Sequence, residues 1–170
     1  WRMLRGDEVG AILGHYIATT MKESTVGKAF GNSIVSSSIL KKIADKHGIE
    51  FKETLTGFKW LAKIENLRYG YEEALGYAVD PTSVNDKDGV SAALIIAQCA
   101  GELKAAGRTM ADYLDEIWQA YGFHATEQIS LRVSSIAQVD TLLDSLRKNP
   151  PKSIGGYALT QADDLERPTD

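Results

Sequence analysis

Glu72 and Glu73 sit side by side in the stretch Gly70-Tyr71-Glu72-Glu73-Ala74-Leu75-Gly76-Tyr77. A carboxylate accepts two hydroxyl hydrogen bonds, which suits the vicinal hydroxyls of a sugar. Consecutive side chains of an extended segment point to opposite faces, so only one of the pair can face a given site. Two adjacent acids would equally suit a helix N-terminus, where the dipole favours negative charge. The flanking glycines and tyrosines speak instead for a tight, shaped loop. Three further stretches bring compatible groups: Ser36-Ser37-Ser38, Thr56-Gly57-Phe58-Lys59 and Asp86-Lys87-Asp88-Gly89. Lys59 and Lys87 are cations that could each hold a phosphate, although a lone lysine is most often a solvated surface group. The Asp86–Gly89 stretch lacks the spacing and the distal glutamate of a calcium loop. The serines lack the histidine and aspartate pattern of an activated nucleophile.

These groups can act together only if regular elements carry them to one place. Gly6-Asp7-Glu8 precedes Val9, Ile12, Leu13, Tyr16 and Ile17, whose spacing predicts one helix face with Asp7 as N-cap. Ser33-Ile34-Val35 reads as a short strand, followed by the serine turn and a helix through Ile39, Leu40, Ile43 and Ala44 that stops at Gly48. Ile49–Leu55 reads as a second strand and Leu67–Tyr71 as a third, with a short helix through Trp60, Leu61 and Ile64 between them. A loop is expected from Ala78 to Asn85, then helices over about Val90–Ala105 and from Thr109 to near Gly122. Strands alternating with helices predict an α/β fold, a three-layer α/β/α sandwich with a mixed, largely parallel sheet. Ligands bind such sheets beyond the carboxyl ends of their strands. Past Gly122 the pattern becomes a strand at Gln128–Val133, an amphipathic helix with Val139, Leu142, Leu143 and Leu146, a break at Asn149-Pro150-Pro151, and a strand near Tyr157–Leu159. That is too little for an independent core. The division expected is a domain over 1–122 and a partial α+β segment over 123–170.

The chain has 170 residues, 44% of them hydrophobic, and a formal net charge of -4. It can build a packed core, and its acidic balance argues against a nucleic-acid partner. Cys99, the single cysteine, lies in an apolar helical run and reads as a core residue. His15, His47 and His124 share no metal-ligand spacing, so no metal site is expected. The sequence offers neither a secretory signal nor a membrane-spanning run, which predicts a cytoplasmic chain without membrane partners. Trp1 at the start and the polar ending Leu165–Asp170 predict an excised piece of a longer protein.

Taken as a set, these stretches resemble the α-D-phosphohexomutases, the phosphoglucomutase and phosphomannomutase family. Gly6-Asp7-Glu8-Val9-Gly10-Ala11-Ile12-Leu13 is similar to the helix that follows the family's metal loop. Val35-Ser36-Ser37-Ser38, Thr56-Gly57-Phe58-Lys59-Trp60, the Glu72-Glu73 loop and Asp86-Lys87-Asp88-Gly89 follow in the family's order and approximate spacing. The resemblance covers Arg5 to about Val133 well and the remainder more loosely. It implies a sugar-binding third domain over 1–122 and, over 123–170, a linker and the incomplete beginning of a fourth.

By that match Glu72 holds sugar hydroxyls, Thr56 and Gly57 line the pocket, and Lys87 is an active-site lysine. Glu73 and Lys59 belong to the same substrate-binding loops. Ala74 stands where many members have a serine that also contacts the sugar, which removes one hydrogen bond and leaves substrate preference open. The family's reaction implies a phosphoserine in Thr-Ala-Ser-His-Asn-Pro, a magnesium loop Asp-Gly-Asp-x-Asp-Arg and a phosphate-gripping loop Arg-Pro-Ser-Gly-Thr. None of the three occurs in the 170 residues. The resemblance therefore implies a phosphotransferase that uses Mg2+ and hexose 1,6-bisphosphate as a whole protein, while this chain carries no catalytic or metal-binding residue. Implied partners are a phosphosugar substrate and the other domains of the same polypeptide; the uncovered apolar residues past Gly122 predict that the chain self-associates as a homodimer or frays there. A phosphopentomutase, a sugar-bisphosphate synthase and a non-catalytic α/β binding module are the alternatives.

Overall fold

The structure, a computed structural model, describes residues 2–165; Trp1 and the polar ending 166–170 lie outside the described residues. The chain divides into two compact units, Trp1–Glu127 and Gln128–Asp170.

The first unit is built on a four-stranded sheet in the order β2-β1-β3-β4, with β1 Ala29–Ser33, β2 Glu50–Thr54, β3 Leu67–Glu72 and β4 Gly76–Ala78. β1 runs parallel to both β2 and β3, and β4 returns antiparallel to β3. The fold is the mixed, largely parallel α/β sheet that the alternation predicts. Helices lie on both faces, unequally. One face carries α1 (Gly6–Thr20), α2 (Ile39–His47), α4 (Gly89–Ala105) and α5 (Met110–Tyr121) over a single large core. The other is covered by α3 (Phe58–Leu61), whose Phe58 and Leu61 pack with Ala78 and Ile64.

β1 corrects the expectation for Ser33-Ile34-Val35. The strand is five wholly buried residues ending at Ser33, while Ile34 and Val35 lie in the turn, 37% and 42% exposed. β-Branched propensity lost to burial. Gly31 lets the strand pass close beneath α3: a Cβ there would stand 2.5 Å from Ile64 Cδ1 and 3.2 Å from Lys52 O. The hairpin strand β4 was hidden inside the expected loops for a similar reason: its signal is a glycine and a tyrosine already read as loop.

α1 begins as expected, but Asp7 does not cap it. The Arg5 backbone N–H donates to Glu8 Oε2 at 2.8 Å, so Glu8 closes the helix start while Asp7 turns inward and is buried. Tyr69, Tyr71 and Tyr77 form a stacked row beneath the helix, with ring centroids 6.2 and 6.3 Å apart. Their hydroxyls donate to Gly10 O at 2.8 Å, Asp7 Oδ1 at 2.9 Å and Gly6 O at 3.0 Å, so the row sets the helix on the sheet. α2 ends at Gly48 with φ 66°, the left-handed stop the sequence predicts.

The second unit holds α6 (Ile136–Lys148) and the hairpin of β5 (Ser153–Ile154) with β6 (Tyr157–Ala158), turning through Gly155 and Gly156 at positive φ. Gln128–Val133 is not a strand. Its residues are exposed, and among the described residues no strand lies beside them to complete a ladder. The contact boundary falls after Glu127 rather than at Gly122. Residues 123–127 belong to the first unit because Thr126 Oγ1 donates to Asp7 Oδ2 at 2.6 Å and Arg5 Nη1 donates to Thr126 O at 2.8 Å.

Candidate functional site

Three parallel strands end at the same edge: Ser33 lies opposite Thr54, and Asn32 opposite Tyr71. The turn after β1, the loop after β2 and the tip of the β3–β4 hairpin therefore emerge together. The Lys87 loop joins them through Asp88 N–H, which donates to Tyr77 O at 2.8 Å. Asp88 then caps α4 by accepting from Val90 N–H at 3.0 Å.

The pair of acids stands at the hairpin tip. Glu72 closes the ladder opposite Gly76, and Glu73, Ala74 and Leu75 make the turn, with Leu75 at φ 66°. Alternation sends the carboxylates to opposite sides. Glu72 points toward α3 and is 8% exposed; its Oε1 accepts the Gly57 backbone N–H at 2.6 Å. Gly57 itself adopts φ 117°, a conformation that favours glycine and opens the loop toward the acid. The other Glu72 oxygen has no hydrogen bond among the described residues, so one acceptor oxygen is held in place and not consumed.

Glu73 points the other way, onto the serine turn. Its Oε2 lies 3.2 Å from Ser33 Oγ and 3.1 Å from Ser36 Oγ, and the two hydroxyls are 2.7 Å apart. The Glu73 backbone N–H donates back to Ser36 Oγ at 3.1 Å.

Lys87 lies across the Glu72 side. Its stem covers Gly76, where a Cβ would meet Lys87 Cδ at 2.6 Å, and its ammonium sits 4.9 Å from the Phe58 ring centroid. Asp86 Oδ1 is 3.3 Å from Nζ. Phe58 thus props Lys87 beside the Gly57–Glu72 hydrogen bond. Thr56 is exposed next to this group, and Ala74 is exposed at the tip. Lys59 is drawn aside: its ammonium lies 5.5 Å from the Trp60 ring, which Lys63 also approaches at 4.7 Å. Of the residues singled out by sequence, Glu72, Gly57 and Lys87 share one side with Thr56 at its rim. Glu73 belongs to the opposite side.

Sequence reasoning missed Ser33 and Asp7. Ser33 was read as the start of a strand when it is the end of one, and nothing in its type marks it. Asp7 is the knot beneath the site: Oδ1 accepts Ser37 N–H at 2.7 Å in addition to Tyr71, and Oδ2 takes Thr126. Burial, then the Asp7 charge, pushes the Tyr71 and Tyr77 hydroxyls above their ordinary titration range, so they remain protonated donors. A cavity of about 290 Å3 opens beside this knot, walled by Arg2, Arg5, Trp118, Phe123 and His124, and holds none of the predicted substrate-binding residues. Among the described residues no three His, Cys, Asp or Glu side chains gather as a metal site.

The arrangement can accept hydroxyl hydrogen bonds at Glu72 beside positive charge. Residues 5–121 match the family model described as phosphoglucomutase/phosphomannomutase, alpha/beta/alpha domain III. The chain belongs to the phosphoglucomutase/phosphomannomutase family. It is 44% identical over 163 residues to a probable phosphomannomutase of Haemophilus influenzae, covering 95% of this chain and 33% of that protein. To human phosphopentomutase it is 35% identical over 184 residues, covering 97% of this chain and 30% of that protein. To a Staphylococcus aureus phosphoglucomutase it is 31% identical, covering 94% of this chain and 30% of that protein. The chain thus spans about a third of the length of these relatives. The fold is shared with a putative phosphomannomutase of Thermus thermophilus (TM-score 0.59, 20% identity, 70% of this chain and 26% of that one). It is also shared with Paramecium pp63/parafusin, a phosphoglucomutase (TM-score 0.62, 22% identity, 71% of this chain and 22% of that one). No single helix among the described residues of this domain III chain is long and apolar enough to cross a membrane.

Proposed function

We propose that this chain is the sugar-binding third domain, with the beginning of a fourth, of a cytoplasmic mutase that moves phosphate between the 1 and 6 positions of a hexose through a bisphosphorylated intermediate. The observation that carries the reading is Glu72, a carboxylate at the carboxyl edge of the sheet with one oxygen fixed on Gly57 N–H and the other without a hydrogen bond among the described residues. That second oxygen accepts sugar hydroxyls. The sugar must turn over between half-reactions, and a clamp on equatorial hydroxyls meets both orientations alike. Lys87 places positive charge beside the clamp, and Lys59 offers a second charge at the rim. Positioning and electrostatics supply most of the catalysis in phosphoryl transfer, so the domain contributes by orienting the hexose.

Among the described residues no side-chain cluster fits a magnesium site. The phosphoserine, the metal and the phosphate-gripping loop would come from the other domains of the same polypeptide. The chain by itself would then turn over no hexose 1-phosphate, even with magnesium and bisphosphate supplied.

The test is Glu72→Gln in the complete polypeptide. A hydrogen bond to a charged group contributes about 1.5–3 kcal/mol, so kcat/KM should fall roughly ten- to a hundredfold with the fold intact. Unchanged efficiency would remove the sugar clamp from Glu72. A second reading, a phosphopentomutase, is favoured by the 35% identity to the human enzyme of that name. Ala74, which lacks the serine hydroxyl that many members of the family carry, leaves the sugar preference open. Comparing pentose and hexose 1-phosphates as substrates separates the two.

A further inference from the structure

We propose that Glu73 is the positioning residue for Glu72: by gripping the serine turn it fixes the hairpin tip, and so the direction in which Glu72 presents its second oxygen. The inference rests on the reading of Glu72 as the sugar ligand.

Glu73 is held at both its side chain and its backbone. Each serine hydroxyl has one hydrogen, so the cluster is satisfied as a relay: Ser33 donates to Ser36, 2.7 Å away, and Ser36 donates to Glu73 Oε2 at 3.1 Å. Ser36 Oγ also accepts the Glu73 N–H at 3.1 Å, closing a ring between one residue of the tip and one of the turn. Behind them the Glu73 carbonyl packs against Gly6 so closely that a Cβ there would stand 1.8 Å from its oxygen. Beyond Glu73 the tip has no such support. Ala74 and Leu75 are exposed, and Leu75 holds φ 66°, which a branched side chain adopts only when its neighbours impose it. Glu72 itself has a single tether, Gly57 N–H. The serine grip is therefore the rigid reference from which the Glu72 carboxylate is aimed. Loss of that reference lets the tip relax and misdirects the acid without unfolding the domain, whose core lies under α1.

A double-mutant cycle on kcat/KM in the complete polypeptide tests this. Glu73→Gln should lower kcat/KM about tenfold in the wild-type background, the scale on which small misplacements act. In the Glu72→Gln background it should change kcat/KM less than about twofold, because the aimed group is already gone. Ser36→Ala should show the same dependence on background, and Glu73→Asp should recover part of the loss. Amide exchange on the 170-residue chain supplies the second arm: Glu73→Gln should accelerate exchange at residues 73–77 and leave α1 protected. An equal loss in both backgrounds, or no loss at Glu73, overturns the proposal while leaving Glu72 in place. No loss at Glu72→Gln alone instead defeats the sugar-clamp reading, and this inference with it.

Discussion

The two sides of the β3–β4 hairpin hold neighbouring glutamates in opposite conditions. On the side of α1 and the serine turn, Glu73 accepts from Ser36 with the Ser33 hydroxyl 3.2 Å away, donates its own backbone N–H to Ser36, and has helix backbone against its carbonyl. On the side of α3, Glu72 has one backbone hydrogen bond, a flexible lysine lying across the strand, and an oxygen left over. Residue type is the same and sequence distance is one. The difference comes from strand alternation, which hands Glu73 to the serine turn under α1 and Glu72, the more buried of the two, to the loop before α3, where it has fewer partners. A binding edge made this way has a rigid wall and a reactive wall, and the rigid wall should be the less tolerant of change.

Substitutions that differ only in the side they strike would break or sharpen that contrast. The largest effect is expected on the packed side. Gly6→Ala forces a Cβ to within 1.8 Å of the Glu73 carbonyl oxygen, where backbone must move. A stability loss of about 2–3 kcal/mol in urea unfolding is expected, and a neutral result would mean the packed wall yields easily.

The same helical layer should also be sensitive to acid. His15 on α1 is held down to about 4 by burial first and then by His47, with Glu116 acting against them and Lys46 with them. Its Nδ1 lies 2.8 Å from the Tyr113 hydroxyl on α5. Unfolded, the imidazole takes a proton as pH falls through its ordinary 6.5, whereas folded it stays neutral until about 4. Stability is therefore lost on acidification through that window, by roughly 1–2 kcal/mol between pH 7 and 5 after allowance for partial exposure. Urea midpoints for wild type and His15→Gln should converge toward pH 5; parallel curves would contradict the assignment.

On the Glu72 side the matching glycine change should be mild. Gly76→Ala meets Lys87 Cδ at 2.6 Å, the flexible part of a side chain that can swing away. A cost below about 1 kcal/mol is expected, together with a several-fold fall in kcat/KM as the ammonium leaves Phe58. A stability loss equal to that of Gly6→Ala would erase the distinction between the walls. Smallest of all is Ala74→Ser at the exposed tip, within about 0.5 kcal/mol in stability. It should shift the ratio of kcat/KM between two epimeric hexose 1-phosphates. A constant ratio would show that this position does not tune substrate choice.

Much of this architecture was legible beforehand, and the exceptions have a common cause. The helix periods of α1, α2, α4 and α5, and the stops at Gly48 and Gly122, follow from local pattern and glycine geometry, and the structure places them within a residue or two. Local pattern failed where tertiary burial decided the outcome. Ala29–Ser33 has poor strand propensity yet forms the central, wholly buried strand, with Gly31 passing close beneath Leu61 and Ile64. Gln128–Val133 has good strand propensity yet forms none, because the described residues supply no neighbouring strand. At the site, the pair Glu72–Glu73 and its opposite facing were readable from alternation alone. The tether of Glu72 to Gly57, and the serine partners of Glu73, depend on register between strands that are distant in sequence. Asp7 was misread for the same reason: its place before a helix signals a cap, and only the packed Tyr71 and Ser37 reveal a buried knot.

The most direct test is the structure of the complete polypeptide with a hexose 1-phosphate bound. One or two sugar hydroxyls should lie about 3 Å from the Glu72 carboxylate, with Glu72 still on Gly57 N–H and Glu73 still on Ser33 and Ser36. A sugar held by Glu73, or one that touches neither acid, would contradict the assignment of Glu72 as the sugar clamp.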